Sequence, residues 1–451
     1  MVWIRGGQTA RIKATVYLLL ALLPAASWAV FDYDTLNANR WRCFLTNYGV
    51  FGEDVATARA GGEWPSGSGH MYIWGAGLWV GAIPGDTYTA VGYNPNSGKA
   101  EFTPGDSADG STDSLSRVYM YPHHWPAPLS RFPRAPQQRL SDQDAWCCFN
   151  DFNTTNHEPH PGGPVESLGI QVYLTTYAST GYLARDFIFL RYEIENQRHD
   201  SLKDVLAGIA LDPDVGNANN DYYRGYYHRR FARGPGDTIY LDNLACAFSD
   251  AEVGWDTTGT VAVELIRTPG NGGATAMKQF TLQTGDPAGD RKQYLALAGY
   301  DWWTNPPMYD PIDSLSPIPN DVRFLTTTGP FVLAPGQSES LVVALIAVNC
   351  RPDSNPLRVA QAAWTAESLY LAGLPLTVSE PPSATPPTRD LLLPGIARGT
   401  LLLPGKSPAL LLDISGRRVA RLSPGTNDLR RFAPGVYFVQ QRTLRKLVIT
   451  R

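Results

Sequence analysis

The sequence lacks the short motifs that mark the common catalytic sites. No G-x-S-x-G elbow, P-loop, H-E-x-x-H pair or dinucleotide-binding glycine motif occurs in its 451 residues. Paired carboxylates of the glycosidase kind cannot be recognised, because spacing along a chain does not fix separation in space. We therefore expect a protein that is not an enzyme, with a cryptic secreted hydrolase as an alternative.

Charge is scarce and nearly balanced. Charged residues make up 18% of the chain, and the formal net charge is −4. A chain of this kind offers no strongly basic surface, which nucleic acid or an anionic membrane would require. We expect no nucleic acid among its partners.

Long apolar runs are missing after the first 29 residues. Met1–Lys13 carries three cations and no acid, the apolar run Ala14–Leu23 follows, and the small residues Ser27 and Ala29 complete a cleavage site. This pattern predicts a secretory signal peptide over 1–29. The alternative is a membrane anchor, but the apolar run is too short to span a bilayer comfortably. We expect no integral membrane segment after cleavage.

Long helical periods are also nearly absent, whereas glycine, proline and aromatic residues are plentiful. Short apolar runs bounded by turn residues indicate an all-β protein. An aromatic and turn-rich β region is predicted over 30–164, and a β-sandwich over 165–375. Within the sandwich, Phe187–Asn196 alternates apolar and polar residues as a half-buried strand does. One helix is predicted at Pro356–Ala372, where it would pack against the sandwich.

Cysteine is rare. The five cysteines allow at most two internal disulfides in an exported chain, and no pair has C-x-x-C spacing. We interpret them as structural. Cys147 and Cys148 are predicted to point to opposite faces of one strand, because strand side chains alternate.

Tryptophans are concentrated near the N-terminus. Trp64, Trp74 and Trp79 lie in a glycine-rich stretch, Gly61–Ala82. The favoured interpretation is that these rings fill a β-sandwich core, where aromatic residues bury large areas. The alternative is a carbohydrate-binding platform of exposed rings, which would make the chain a surface protein that binds glycans.

An oxygen-rich loop follows the predicted strand that ends at Leu211. Asp212, Asp214, Asn217, Asn219 and Asp221 fall within ten residues. Calcium takes six to eight oxygen ligands in flexible geometry, so these residues are candidate ligands for a structural calcium ion. The alternative is a solvated turn in which Asp and Asn side chains bond their own backbone.

Basic and aromatic residues then alternate in Tyr222–Asp237. Such interleaving is found in surfaces that contact single-stranded nucleic acid or acidic glycans. The favoured interpretation is a solvated edge strand whose arginines prevent unwanted strand pairing.

The C-terminal part is predicted as a separate β module. A proline-rich linker occupies 376–395, and strands are predicted at Leu410–Ile414, Arg418–Leu422, Gly435–Gln440 and Lys446–Thr450 of the segment 396–451. The "DISGRRV" turn, the "GVYFV" strand and the closing strand resemble the C-terminal sorting domains of bacterial proteins exported by the type IX secretion system. The residues that carry this resemblance are Gly416, Arg417, Gly435, Val436, Tyr437 and Lys446.

The resemblance implies a small immunoglobulin-like β-sandwich, like that of flagellar hook-capping modules. It also implies the outer-membrane secretion machinery as a partner and a secreted or cell-surface location. The body is similar in layout to other large exported proteins that end in this domain, and that similarity implies no activity. We therefore expect a secreted or cell-surface protein with a structural or interaction role.

Overall fold

The computed structural model describes residues 31–85, 88–94, 99–157, 166–234, 237–250, 252–281, 283–316, 318–373, 396–403, 408–413, 417–440 and 444–450. The predicted signal peptide, the proline-rich linker and Gly416 lie outside the described residues. No helix among the described residues is both long enough and apolar enough to cross a membrane.

The body of the protein is built almost entirely from strands. They are β1 Tyr33–Leu36, β2 Arg42–Thr46, β3 Val50–Phe51, β4 Glu53–Asp54, β5 Arg59–Ala60, β6 Gly62–Glu63, β7 Met71–Ile73, β8 Gly75–Ala82, β9 Thr89–Asn94, β10 Lys99–Ala100, β11 Thr103–Pro104, β12 Tyr119–Met120, β13 Gln143–Asn150, β14 Ile170–Ala178, β15 Phe187–Asn196, β16 Leu202–Asp212, β17 Asp221–Tyr226, β18 Arg229–Gly234, β19 Asp237–Leu241, β20 Leu244–Ser249, β21 Thr260–Arg267, β22 Ala276–Thr281, β23 Tyr300–Asp301, β24 Met308–Tyr309, β25 Val322–Leu333 and β26 Ser338–Val348. The α-helices of the body are α1 Asp290–Leu297 and α2 Pro356–Leu371, and short 3₁₀ turns lie at Gly110–Thr112, Thr154–Asn156, Ala218–Asn220 and Pro269–Asn271.

Two large antiparallel sheets form a sandwich. Within the described residues, the first sheet has eleven strands in the order β22-β25-β16-β8-β3-β2-β6-β7, with β1 paired to β2, β9 to β8 and β10 to β9. The second has nine strands in the order β11-β13-β14-β15-β26-β21-β20-β17, with β12 paired to β13. The predicted all-β class is confirmed.

The sandwich core lies between the inner faces of the two sheets. Ile209 and Leu211 of the first sheet belong to the same buried cluster as Leu190 and Val343 of the second. Alternate residues of the same strands face outward, where they pack under further layers. On the outer face of the first sheet, a second buried cluster forms between the sheet and α1. The outer face of the second sheet packs against α2 over part of its area, whereas alternate residues near the end of β15 are only half-buried.

The predicted boundary at 164/165 is not a domain boundary. Strand β8 lies between β16 and β3 in the first sheet, and β13 lies between β11 and β14 in the second. Strands from both sides of residue 165 therefore share both sheets. The correction has a physical reason: local alternation identifies a strand but does not tell which distant strand it pairs with.

The predicted helix is confirmed as α2. The side chain of Asn355 caps it by accepting a hydrogen bond from the backbone N–H of Arg358, and Pro356 occupies its first turn. Val359, Ala363 and Ala366 are buried against the second sheet. Helix α1 was not predicted, because its eight residues are too few to show a clear helical period.

All five cysteines are buried thiols, and no disulfide joins them. Cys147 belongs to the core between the sheets, whereas Cys148 packs with Trp146 and Phe132 in a cluster on the other side of β13. The prediction that the adjacent pair points to opposite faces is confirmed.

The C-terminal module has its own core. Its strands are β27 Ile396–Arg398, β28 Thr400–Leu403, β29 Ala409–Leu412, β30 Arg418–Leu422, β31 Gly425–Asp428, β32 Gly435–Gln440 and β33 Leu444–Thr450. A five-stranded sheet, β27-β33-β32-β29-β30, and the pair β28-β31 share a buried cluster that includes Leu401, Leu411 and Val439. The strands predicted in this segment from apolar alternation are present, which confirms a small β-sandwich here.

Candidate functional site

A cleft of about 610 Å³ lies on the outer face of the second sheet, between α2, the β18–β19 hairpin and the loop that joins β14 to β15. We call it the arginine cleft. Its lining includes these side chains of the body: Arg40, Trp64, Tyr182, Arg185, Asp186, Phe187, Arg233, Asp237, Asn349, Arg358, Gln361, Trp364 and Thr365. Ligand sites in proteins are commonly concavities of about 300–1,000 Å³.

Asp186 organises one wall of the cleft. Its Oδ1 accepts hydrogen bonds from Nη1 of Arg40 at 2.9 Å and from the indole Nε1 of Trp64 at 2.9 Å. Its Oδ2 lies 3.8 Å from Nε of Arg185. The guanidinium of Arg40 also lies 4.6 Å from the centre of the Trp64 ring. One carboxylate thus holds two arginines and a tryptophan in fixed positions, as preorganised sites require.

Arg233 forms the opposite wall. Its guanidinium lies 4.3 Å from the centre of the Trp364 ring, and its Nη2 donates to Oδ1 of Asp237 at 2.7 Å. Cation–π contact and the ion pair together fix both ends of this side chain. Arg233 and Asp237 belong to the basic aromatic stretch that we interpreted as an edge strand. Its first part lies in β17, at one end of the second sheet, and its second part forms β18, which pairs with β19.

Helix α2 turns one stripe toward the cleft. Arg358, Gln361, Ala362 and Thr365 line it, at spacings that place them on one helical face. Arg358 is exposed and lies in the first turn, where the helix dipole disfavours a cation. No carboxylate among the described residues forms an ion pair with it. Its position is therefore unfavourable for the isolated helix and favourable for an anion bound in the cleft.

The charges of the cleft do not balance. The body contributes four arginines to its lining and two aspartates, Asp186 and Asp237. Asp413 of the C-terminal module also lies in the lining, but its carboxylate accepts a hydrogen bond from Nε of Arg417 at 3.0 Å. Guanidinium groups bind carboxylates, sulfates and phosphates through paired hydrogen bonds. The arrangement is chemically suited to hold an anionic ligand.

The three candidate tryptophans do not form an exposed platform. Trp64 is 2% exposed and Trp79 is 1% exposed, and Trp74 is half-buried. Trp79 packs with Val50 and Tyr93 under the α1 layer, and its indole N–H donates to the Tyr93 carbonyl. A sugar cannot stack on rings without an accessible face, so a platform made of these three rings is wrong. The favoured interpretation of core rings fits Trp64 and Trp79, and Trp64 in addition lines the arginine cleft.

Of the carboxylates of the predicted calcium loop, Asp212 at the end of β16 and Asp221 at the start of β17 are buried, and Asp214 is half-buried. Oδ2 of Asp212 accepts from Nε of Arg323 at 3.2 Å, and Oδ2 of Asp221 accepts from the backbone N–H of Val215 at 3.2 Å. Burial raises the pKa of Asp214 to about 7. Burial also raises the pKa of Asp221, and nearby acids add to the effect. The cation nearest to Asp212 is thus the guanidinium of Arg323.

The asparagines of this loop, unlike its buried carboxylates, lie at the surface. Asn217 and Asn219 are exposed, and Oδ1 of Asn217 accepts from the backbone N–H of Asn219 at 3.2 Å. Among the described residues, no group of three or more acidic, histidine or cysteine side chains is placed to hold a metal ion. Calcium binding stays a prediction, tested by whether a chelator lowers the melting temperature.

The residues of the sorting resemblance lie in the C-terminal module. Arg417 is bonded to Asp413 beyond the end of β29, since its backbone N–H and its Nε both donate to the Asp413 carboxylate. Gly435, Val436 and Tyr437 begin β32, which pairs antiparallel with β33, where Lys446 lies. The hydroxyl of Tyr437 donates to the carbonyl of Ala433 at 2.9 Å. These contacts stabilise the module itself.

Most of the cleft was not foreseen from the sequence. Arg40, Asp186 and the α2 residues Arg358 and Trp364 come from three distant segments and share no motif. Only Arg358 could have been noticed in the sequence. An arginine in the first turn of a predicted helix is unfavourable because of the helix dipole, which indicates that it serves another purpose there.

Comparisons with known proteins assign no family to the chain. No protein-family model matches the chain, and no curated protein matches it. Among solved structures, a putative aldose 1-epimerase from Escherichia coli K12 is 10% identical, with 70% of this chain and 98% of that chain covered and a TM-score of 0.28. A polysaccharide lyase is 10% identical, with 83% and 39% covered and a TM-score of 0.26. An amine oxidase from Aspergillus nidulans is 10% identical, with 78% and 56% covered and a TM-score of 0.32. Likenesses this distant carry no argument about function.

Proposed function

We propose that the protein is an exported, non-catalytic binding protein whose arginine cleft takes an acidic oligosaccharide. The observation that carries the proposal is the set of four arginines, three of which lie over aromatic rings, around a cleft of about 610 Å³. Uronic acids combine a carboxylate, which pairs with a guanidinium, and hydroxyl groups, which suit amide and hydroxyl side chains.

The polar groups of the lining support a sugar as the ligand. Asn349, Gln361 and Thr365 offer hydrogen-bonding groups beside the arginines. A site that holds the hydroxyl groups of a sugar as well as its charge discriminates it from simple anions. The overall negative charge of the chain argues against a nucleic acid, which follows an extended basic surface rather than one cleft.

Export belongs to the same proposal. The signal peptide over 1–29 would direct the chain out of the cytoplasm, and the C-terminal module would be recognised by the outer-membrane secretion machinery. The separate core of the module supports this division, because a module with its own buried cluster can fold and be recognised apart from the body. The resulting location is secreted or on the cell surface, where acidic glycans occur.

The cleft is tested by titrating residues 30–451 with trigalacturonate. Arg358→Ala and Arg185→Ala each remove one charge-assisted hydrogen-bond donor, which is worth about 1.5–3 kcal/mol. We expect each variant to bind about tenfold or more weakly. The matched control is Arg291→Ala, since Arg291 is also an exposed helical arginine but lies on α1, over the first sheet.

Unchanged affinity in both cleft variants would place the ligand elsewhere and overturn the assignment. Equal weakening by Arg291→Ala would show that only net charge matters. Melting temperatures of the variants, measured beside the titrations, separate loss of binding from loss of folding.

A further inference from the structure

A second surface, far from the arginine cleft in the fold, exposes large apolar side chains on one short hairpin. Strands β23 and β24 pair over the outer face of the first sheet. Trp303 is 40% exposed, Met308 54% and Tyr309 61%. Exposed apolar groups concentrated in one place mark interaction sites more often than isolated ones do. We call these three residues the aromatic hairpin.

A buried lysine fixes the base of the hairpin. The side chain of Lys278 is fully inaccessible, and its Nζ lies 2.7 Å from Oδ1 of Asp301 and 2.9 Å from Oδ1 of Asp313. The same ammonium donates to the carbonyl of Asp310 at 2.7 Å. Removal of an ammonium group from water costs several kcal/mol. The buried position of Lys278 is therefore stable only while these three oxygen atoms remain within reach of its Nζ.

Buried rings hold the exposed ones. Trp302 packs edge-on against Phe280 of β22, with ring centres 5.4 Å apart. Trp303 stands perpendicular to Trp302, with centres 4.6 Å apart. At the other strand, the rings of Tyr300 and Tyr309 lie 5.1 Å apart. The exposed rings are therefore mounted on the core rather than on a loose loop.

Hydrogen bonds close the tip of the hairpin. The hydroxyl of Thr304 donates to the Asp301 carbonyl at 2.8 Å and accepts from the backbone N–H of Met308 at 2.9 Å. The side chain of Thr304 thereby links the end of β23 to the start of β24. A ligand that stacks on these rings would lose little free energy in ordering the protein.

The charges beneath the hairpin narrow the choice of ligand. The carboxylates of Asp301 and Asp313 both pair with the ammonium of Lys278, so this ion-pair group carries one excess negative charge. An acidic glycan or an anionic lipid surface would be repelled there. Exposed aromatic faces next to carboxylates suit the apolar faces and the hydroxyl groups of uncharged sugars.

We propose that Trp303 and Tyr309 form a stacking site for the pyranose rings of a neutral polysaccharide. This site is independent of the arginine cleft and opposite to it in charge. The two sites together would let one exported chain bind both a neutral and an acidic glycan.

The test measures retention of residues 30–451 on insoluble cellulose, insoluble xylan and starch granules. We expect retention on at least one of them, reduced about tenfold by Trp303→Ala or Tyr309→Ala, because each variant removes one of the two rings on which the sugar stacks. The matched control is Tyr240→Ala, because Tyr240 is 58% exposed but lies on β19. It should leave retention unchanged.

Salt separates this site from the arginine cleft. Stacking on a neutral sugar should persist in about 1 M salt, where charge pairing with trigalacturonate is screened. Retention on none of the three polysaccharides overturns the proposal. So does retention that Trp303→Ala and Tyr309→Ala leave intact, or binding of the hairpin to phosphatidylcholine vesicles in place of polysaccharide. The cleft variants Arg358→Ala and Arg185→Ala should not affect retention, so either site can fail alone.

Discussion

The indole N–H of Trp64 donates a 2.9 Å hydrogen bond to the carboxylate of Asp186, although 122 positions separate the two residues in the chain. Arg40 binds the same carboxylate oxygen and covers the Trp64 ring. This contact joins the N-terminal strands to the β14–β15 loop and builds one wall of the arginine cleft.

Replacement of Asp186 should therefore affect stability as well as binding. Asp186→Ala leaves the Trp64 N–H and the Arg40 guanidinium without their shared acceptor, and we expect a loss of about 1.5–3 kcal/mol in the free energy of unfolding. Asp186→Asn keeps an acceptor oxygen for Trp64 and should lose less. Urea denaturation measures both. Equal stability of Asp186→Ala and wild type would show that the contact does not hold the wall together.

Close packing on the outer face of the first sheet gives a second prediction. A methyl group at Gly77 would lie 2.5 Å from Cβ of Tyr93 and 2.9 Å from the Gly49 carbonyl oxygen. Because neither backbone nor a fully buried ring can move freely, Gly77→Ala should cost about 1–3 kcal/mol of the free energy of unfolding. Gly234→Ala is the control, since a methyl group there meets no atom within 4 Å. Similar denaturation midpoints for the two variants would contradict this account.

A buried acid beneath α2 predicts a dependence of stability on pH. Glu264 of β21 is buried and its Oε2 has no hydrogen-bond partner. Burial raises the pKa of Glu264 well above its ordinary value, and the nearby carboxylate of Glu367 on α2 raises it further. Burial likewise raises the pKa of Glu367, with a contribution from Asp242.

The folded chain thus holds the proton of Glu264 more tightly than the unfolded chain does. Unfolding releases this proton at pH values above the ordinary glutamate pKa, about 4.3, so a rise in pH destabilises the fold. The slope due to this group is at most about 1.4 kcal/mol per pH unit. Glu264→Gln should flatten the fall in unfolding free energy between about pH 5 and pH 8, measured by urea denaturation. A variant with the wild-type slope, or one that unfolds at neutral pH, would contradict the assignment.

The export proposal predicts where a shortened chain accumulates. A chain that ends at residue 375 keeps the signal peptide and both sheets but lacks the C-terminal module. We expect it to reach the periplasm and stay there, as fractionation and immunoblotting would reveal. Appearance of the shortened chain on the surface or in the medium at the full-length level would contradict a sorting role for 396–451.

The sequence predicted those parts of the fold that depend on local patterns. Strand β15 and helix α2 were recognisable because their apolar residues repeat with periods of two and 3.6. The strands of the C-terminal module follow from the same alternation. The union of 30–164 and 165–375 into one sandwich was missed, because pairing between distant strands such as β8 and β16 leaves no local signal.

For the candidate sites too, the sequence predicted what depends on local composition and missed what depends on contacts between distant residues. The acids of the loop after Leu211 were identified by composition, but the position of Arg323 among them depends on a neighbouring strand more than 100 residues away. Trp64 was singled out for its ring, whereas its role in the cleft comes from its N–H and its partner Asp186. Trp303 and Tyr309 gave no signal, since exposure of a ring cannot be read from sequence.

The central claim is that the arginine cleft recognises the charge of an acidic sugar. The most direct measurement is an isothermal titration of residues 30–451 with trigalacturonate and with its methyl ester, which has the same rings but no charge. We predict that the acid binds about tenfold or more tightly than the ester and that the difference shrinks as salt is raised. Equal affinity for the two compounds, or no binding of either, would contradict the account.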